Sequence, residues 1–157
     1  MNDYKLKNRW TFWYHSINDN NWKINSYHKL YSIENIYDYK IIEDSFKNNH
    51  YYNGMYFIMR NDIKPIWEDP MNRMGGYISF KIYSNDLINK WNYLIKKCIM
   101  EDIFIDNNDY INGISISPKK EFNILKIWLN KDISNYKEYM IHLKMNISKV
   151  LYKRYSD

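Results

Sequence analysis

The chain has 157 residues, with 23 Lys and Arg against 18 Asp and Glu for a formal net charge of +5, and only one cysteine. That length supports one domain spanning residues 1–157 with its own core, and it excludes a need for disulfide or metal staples. The lone Cys98 excludes a disulfide framework and fits a reducing, cytoplasmic setting. No run is apolar over the ~20 residues that a membrane-spanning helix requires, and the N-terminus lacks the apolar stretch of a secretory leader. The positive balance favours an anionic partner.

In chain order, residues 9–16 are rich in aromatic strand formers, and the Asn18-Asp19-Asn20-Asn21 cluster behind them is turn chemistry. Trp22 follows that turn, where a core residue is not expected. From Ser32 and Glu34, the spacing of Ile33, Ile36, Tyr37 and Ile41 predicts a first helix to about Asp44. Residues 55–59 and 77–83 read as strands, joined by a loop punctuated by Pro65, Pro70, Gly75 and Gly76. A second amphipathic helix, capped by Asn85, carries Leu87, Trp91, Leu94, Ile95 and Cys98 on one face. Residues 111–117 and 122–129 read as strands around Pro118-Lys119-Lys120-Glu121. Ser134 then opens a third predicted helix with Tyr136, Met140, Leu143, Ile147 and Leu151 on its apolar stripe. Strands interleaved with three helices make an α+β domain.

The chemistry of catalysis is thin. His15, His28, His50 and His142 are scattered without a metal-ligand pair, and neither a Gly-rich phosphate loop nor a nucleophile elbow is present. The expectation is a binding protein without enzymatic activity, cofactor or metal. Residues 106–109 lack the Gly and terminal Glu of a calcium loop.

The informative residues are tryptophans. The 17 Tyr, and the abundant Asn, Ile and Lys, have AT-rich codons and point to an AT-rich genome such as that of a parasite or a large DNA virus. Trp has a G-rich codon, so six of them retained against that bias carry more weight. Trp10, Trp13 and Trp91 lie in periodic apolar segments and read as core. Trp67 stands beside Glu68 in a loop. A carboxylate accepts the two adjacent donors of guanine's Watson-Crick edge while an indole stacks on the ring, and with Trp22 in a second loop a sandwich is the natural arrangement.

The segments Asn-Arg-Trp-x-x-Trp-Tyr at 8–14, Trp22, Ile-Lys-Pro-Ile-Trp-Glu-Asp at 63–69, Asn72, Gly75-Gly76, Trp91 and Ile-Trp at 127–128 resemble the eukaryotic translation initiation factor 4E family, in order and spacing, over nearly the whole chain. The resemblance implies a curved antiparallel sheet with three helices on its convex face and a pocket for the 7-methylguanosine cap of messenger RNA on its concave face. It implies Trp22 and Trp67 as stacking indoles, Glu68 as guanine acceptor, Trp128 against the N7 methyl, and capped mRNA as partner, with no DNA or membrane. The implied setting is the cytoplasm, the host's if the source is viral, and the implied role is translation initiation. The alternatives are a cap-binding repressor and an interaction module that has lost the cap.

Departures from the family are informative. Lys119 matches a phosphate-binding Arg, but a second basic position is Ile124 and Tyr77 replaces the Arg after Gly-Gly. Lys120 and Lys126 are the candidate substitutes. The family's C-terminal strand has no evident counterpart. On the back face, where the family docks helical peptides of scaffold factor 4G, Ile33 and Glu34 match, while Tyr37, Asn92, Tyr93 and Lys96 replace other side chains. A scaffold protein of the factor 4G type or a divergent dedicated partner is the expectation there.

Overall fold

The computed structural model describes residues 4–83, 86–144 and 148–156. Seven strands, β1 (Lys5–Ser16), β2 (His28–Asn35), β3 (Gly54–Arg60), β4 (Gly76–Tyr83), β5 (Ile111–Pro118), β6 (Phe122–Leu129) and β7 (Ser148–Arg154), form one sheet in the order β2-β1-β3-β5-β6-β4-β7. Every pairing is antiparallel. Three helices, α1 (Ile36–Ser45), α2 (Asn48–Asn53) and α3 (Leu87–Ile99), cover the convex face of the curved sheet. This is the α+β architecture expected.

Strand alternation divides the interior in two. Trp10 and Phe12 of β1, Ile58 of β3, Ile78 and Phe80 of β4, Ile114 and Ile116 of β5, and Leu125 and Ile127 of β6 point to the helices and bury against Tyr39, Ile42, Tyr51, Trp91, Leu94 and Cys98. The intervening residues Trp13, Phe57, Met59 and Trp128 face the other way and form a smaller cluster with Ile63, flanked by Ile24, Tyr27, Met55 and Tyr155. That cluster is the floor of the concave face.

Local chemistry explains the helix ends. Asn35 caps α1 by accepting from the Asp38 backbone N–H at 3.0 Å, and the Asp38 carboxylate returns a contact to the Asn35 N–H. At the end of α3, Glu101 takes a left-handed conformation (φ 55°), and its carboxylate reaches the Arg60 guanidinium at 2.6 Å and Asn8 Nδ2 at 2.8 Å. Arg60 also donates to the carbonyls of Ile111 and Asn108, at 2.9 and 2.7 Å, and lies 4.5 Å from the Trp10 ring centroid. This buried ion pair is well supplied with hydrogen bonds, and it ties the end of β3 to α3.

Three expectations are corrected. Ser32, Ile33 and Glu34 belong to β2, and the first helix starts after Asn35. α2 was not expected. The region predicted as a third helix forms a 3-10 turn (Tyr136–Glu138) and then β7, so the chain does have a C-terminal strand, paired with β4. Tyr152 turns inward and its hydroxyl meets Asp132 and the Ile133 N–H, while Leu151, placed on the apolar stripe of the expected helix, is exposed. Asn85, predicted as a helix cap, and Ile147 of the same stripe lie outside the described residues.

Candidate functional site

The loop between β3 and β4, residues 61–75, is held by its own side chains. Asp69 accepts from the backbone N–H groups of Lys64 (3.0 Å) and Met71 (2.8 Å). Asn72, fully buried, donates to the carbonyls of Lys64 and Ile66 at 3.0 and 2.8 Å and accepts from Asn112 Nδ2 at 2.8 Å. Asn112 in turn binds the Met71 carbonyl at 2.8 Å, which fastens the loop to β5. At the loop's exit, a Cβ on Gly75 would lie 1.9 Å from the Leu129 carbonyl oxygen, so only glycine passes. A loop whose polar groups are satisfied internally turns Trp67 and Glu68 outward. Trp67 is 53% exposed, and Glu68 is exposed with no ion pair among the described residues.

The second loop, residues 17–27, is a series of side-chain turns. Asn21 N–H meets Asp19 Oδ1 at 2.8 Å and Lys23 N–H meets Asn21 Oδ1 at 2.9 Å. Ser26 Oγ closes it against the Asn21 and Lys23 carbonyls at 2.5 and 2.8 Å. Trp22 stands at its apex, 50% exposed.

Both loops overhang the concave face around a cavity of about 380 Å³ lined by Trp22, Tyr27, Met55, Phe57, Trp67, Glu68, Lys126, Trp128 and Tyr155, with Pro65 and Ile66. Its size and its apolar walls with few polar groups are those of a small-molecule site. Trp128 is 6% exposed, fixed by an Nε1–H bond to Ser115 Oγ at 3.0 Å and by ring contacts with Phe57 and Tyr155 at 6.1 and 5.5 Å. Burial first, then the nearby Glu68 charge, pushes the Tyr27 hydroxyl up to about 12. Burial lowers the Lys126 ammonium below its ordinary value, helped by Lys119 and Lys153. A larger cavity of about 640 Å³, between α3 and residues 142–144, contains none of the predicted stacking or acceptor residues.

Four predicted residues, Trp22, Trp67, Glu68 and Trp128, thus share one cavity. Lys119 and Lys120 are exposed on the β5–β6 turn outside its lining, and Lys126 is the lysine in the wall. Its register, opposite Ser79 and two residues before Trp128, places it on the concave face. Sequence reasoning missed Tyr27 and Tyr155; the latter sits just beyond a strand that the helical spacing concealed. The back-face residues divide. Tyr37 is 60% exposed, and Glu34 and Lys96 are exposed, while Tyr93 is half-buried. Ile33 is wholly buried and Asn92 is 8% exposed, so neither offers much surface to a partner.

Residues 5–156 match the sequence model of the family described as Eukaryotic initiation factor 4E. Among curated relatives, the initiation factor 4E of Dictyostelium discoideum is 28% identical over 131 residues, 78% of this chain and 51% of that protein. A homolog from Acanthamoeba polyphaga mimivirus is 34% identical over 97 residues, 60% of this chain and 32% of the relative. The matched regions thus span about half or less of these two relatives. Two solved structures share the fold: schistosome initiation factor 4E complexed with m7GpppG and 4E-BP (TM-score 0.82, 19% identity, 98% of this chain and 90% of that one), and Ascaris suum initiation factor 4E-3 with an m7G cap (TM-score 0.76, 16% identity, 94% and 97%). With that fold, and with a family match running from the first strand to the last, this chain belongs to the eukaryotic initiation factor 4E family.

Proposed function

We propose that the protein binds the 7-methylguanosine cap of mRNA in the concave cavity and acts in translation initiation in the cytoplasm, without enzymatic activity. The observation that carries this reading is the gathering of Trp22, Trp67, Glu68 and Trp128 around one cavity. Trp22 and Trp67 take the two faces of the methylated purine, Glu68 accepts from its Watson-Crick edge, and Trp128 lies against the N7 methyl. N7 methylation makes the ring cationic, which adds about 0.5–2 kcal/mol of cation-π attraction that unmethylated guanine lacks. The Glu68 hydrogen bonds are charge-assisted, about 1.5–3 kcal/mol each. The cap phosphates lie toward Lys126, with Lys119 and Lys120 on the adjoining turn. Tyr37, Tyr93 and Lys96 form the core of a partner surface for a scaffold-type or divergent helical peptide; the cap complex of schistosome factor 4E with 4E-BP is consistent with such a surface.

The test is a fluorescence titration with 7-methyl-GTP and with GTP. Stacking quenches indole emission, 7-methyl-GTP binds more tightly, and Trp67→Ala weakens it by about 1–3 kcal/mol. Equal affinity for the two nucleotides, or an unaffected folded Trp67→Ala protein, rules this reading out and leaves an interaction module that does not take the cap.

A further inference from the structure

We infer that His15 is a positioning residue for ligand stacking: it sets the plane of Trp22 through a ring stack and a hydrogen bond to the residue just before it. This rests on the reading of Trp22 as a stacking indole.

His15 lies on β1 between Trp13 and the loop that carries Trp22, and it is completely buried. Its imidazole is nearly parallel to the Trp22 indole, with centroids 4.4 Å apart and an interplanar angle of 14°. The same ring leans on Tyr27, another cavity residue, at 4.4 Å and 46°. Nε2 is 2.7 Å from the Asn21 carbonyl oxygen and 3.1 Å from Ser26 Oγ. A carbonyl only accepts, so Nε2 carries a proton and donates to it. Nδ1 is buried with no partner among the described residues.

The consequence is geometric. Trp22 is half exposed at the apex of a loop made of side-chain turns, so its plane needs support from the strand below it. His15 supplies that support from beneath and pins the peptide one residue away, so one indole face is occupied by imidazole and the rest of the ring is presented at the cavity. A purine then meets a preset surface and loses less rotamer freedom on binding. Phenylalanine in this position offers a ring without the donor, and glutamine offers the donor without the ring, so the two contributions separate by mutation.

The experiment is a thermodynamic cycle on the full chain with 7-methyl-GTP as probe: His15→Ala, His15→Phe and His15→Gln, each in the wild-type and Trp22→Ala backgrounds, with thermal melting as the fold check. His15→Ala is expected to weaken binding at least about fivefold, with Phe and Gln intermediate, and all three changes shrink to less than about twofold when Trp22 is already alanine. Where His15→Ala does not fold, the Phe and Gln variants are read in the same cycle. Equal losses in both backgrounds, or wild-type affinity for folded variants, overturn the assignment to His15 alone. Wild-type affinity in Trp22→Ala itself overturns the stacking reading, and this proposal with it.

Discussion

Lys126 shows how much one residue's setting governs its use. Its Nζ lies 4.3 Å from the Tyr77 centroid, and no carboxylate of the described residues is within ion-pair distance of Lys119, Lys126 or Lys153. A partly desolvated cation beside two like charges is poorly satisfied until an anion arrives, whereas the solvated Lys119 and Lys120 gain less from one. Lys126→Met is therefore expected to cost more affinity for 7-methyl-GTP than Lys119→Ala/Lys120→Ala together, and to shrink the gap between tri- and monophosphate and its dependence on salt. Calorimetry with 7-methyl-GMP and 7-methyl-GTP at two salt concentrations measures this; a Lys126→Met protein that keeps the full triphosphate preference shifts the grip to the turn lysines. Because its proton is lost at lower pH than that of an ordinary lysine, triphosphate affinity also declines earlier in the alkaline range.

At the scale of elements, the loop that carries Trp67 is governed by a few amides. Removing Asn72 leaves the Lys64 and Ile66 carbonyls and Asn112 Nδ2 short of partners inside the protein, so Asn72→Ala should destabilise by about 1–3 kcal/mol and loosen Trp67 as well. Urea unfolding and the 7-methyl-GTP titration together test it, and undiminished stability with intact binding contradicts the loop account. This loop was legible in the sequence because its chemistry is local: Pro, Gly and Trp-Glu-Asp act within a dozen residues. β2 was not legible. As an edge strand it buries only Ile33 of its eight residues, so no alternation marks it, and its end blends into the Asn35 cap of α1. β7 misled for the opposite reason. Tyr136, Met140 and Leu143 keep helical spacing, and with Val150 and Tyr152 the inward residues among those described, the strand's own period is too short to compete. Tyr155, which completes the cavity wall, was hidden by that misreading. Lys126 was named, but placing it in the cavity took the pairing of β6 with β4.

For the molecule as a whole, the dominant resource is buried aromatic surface, and it carries a pH signature. Burial pushes Tyr27, Tyr56 and Tyr152 up from 10.0 to about 12, and holds Tyr39, Tyr51 and Tyr155 higher still. In the unfolded chain these hydroxyls release their protons near pH 10.0, the ordinary value. Between that pH and the folded values the native state holds more protons, so stability falls as pH rises. Cys98, raised by complete burial, acts in the same direction. Lys126 acts in the opposite one, because its lowered value makes the folded state the first to lose a proton, but it is one group against seven. Stability should therefore be fully present below about pH 9, the ordinary value of the Cys98 thiol, and decline through about pH 12 and beyond. Tyrosinate from this buried set should appear in a step coincident with loss of the folded circular-dichroism signal. Recording tyrosinate absorbance and circular dichroism along one alkaline titration checks this. If these six tyrosines ionise smoothly near pH 10 while the fold persists, the aromatic core is not sealed from water and this account of its stability fails.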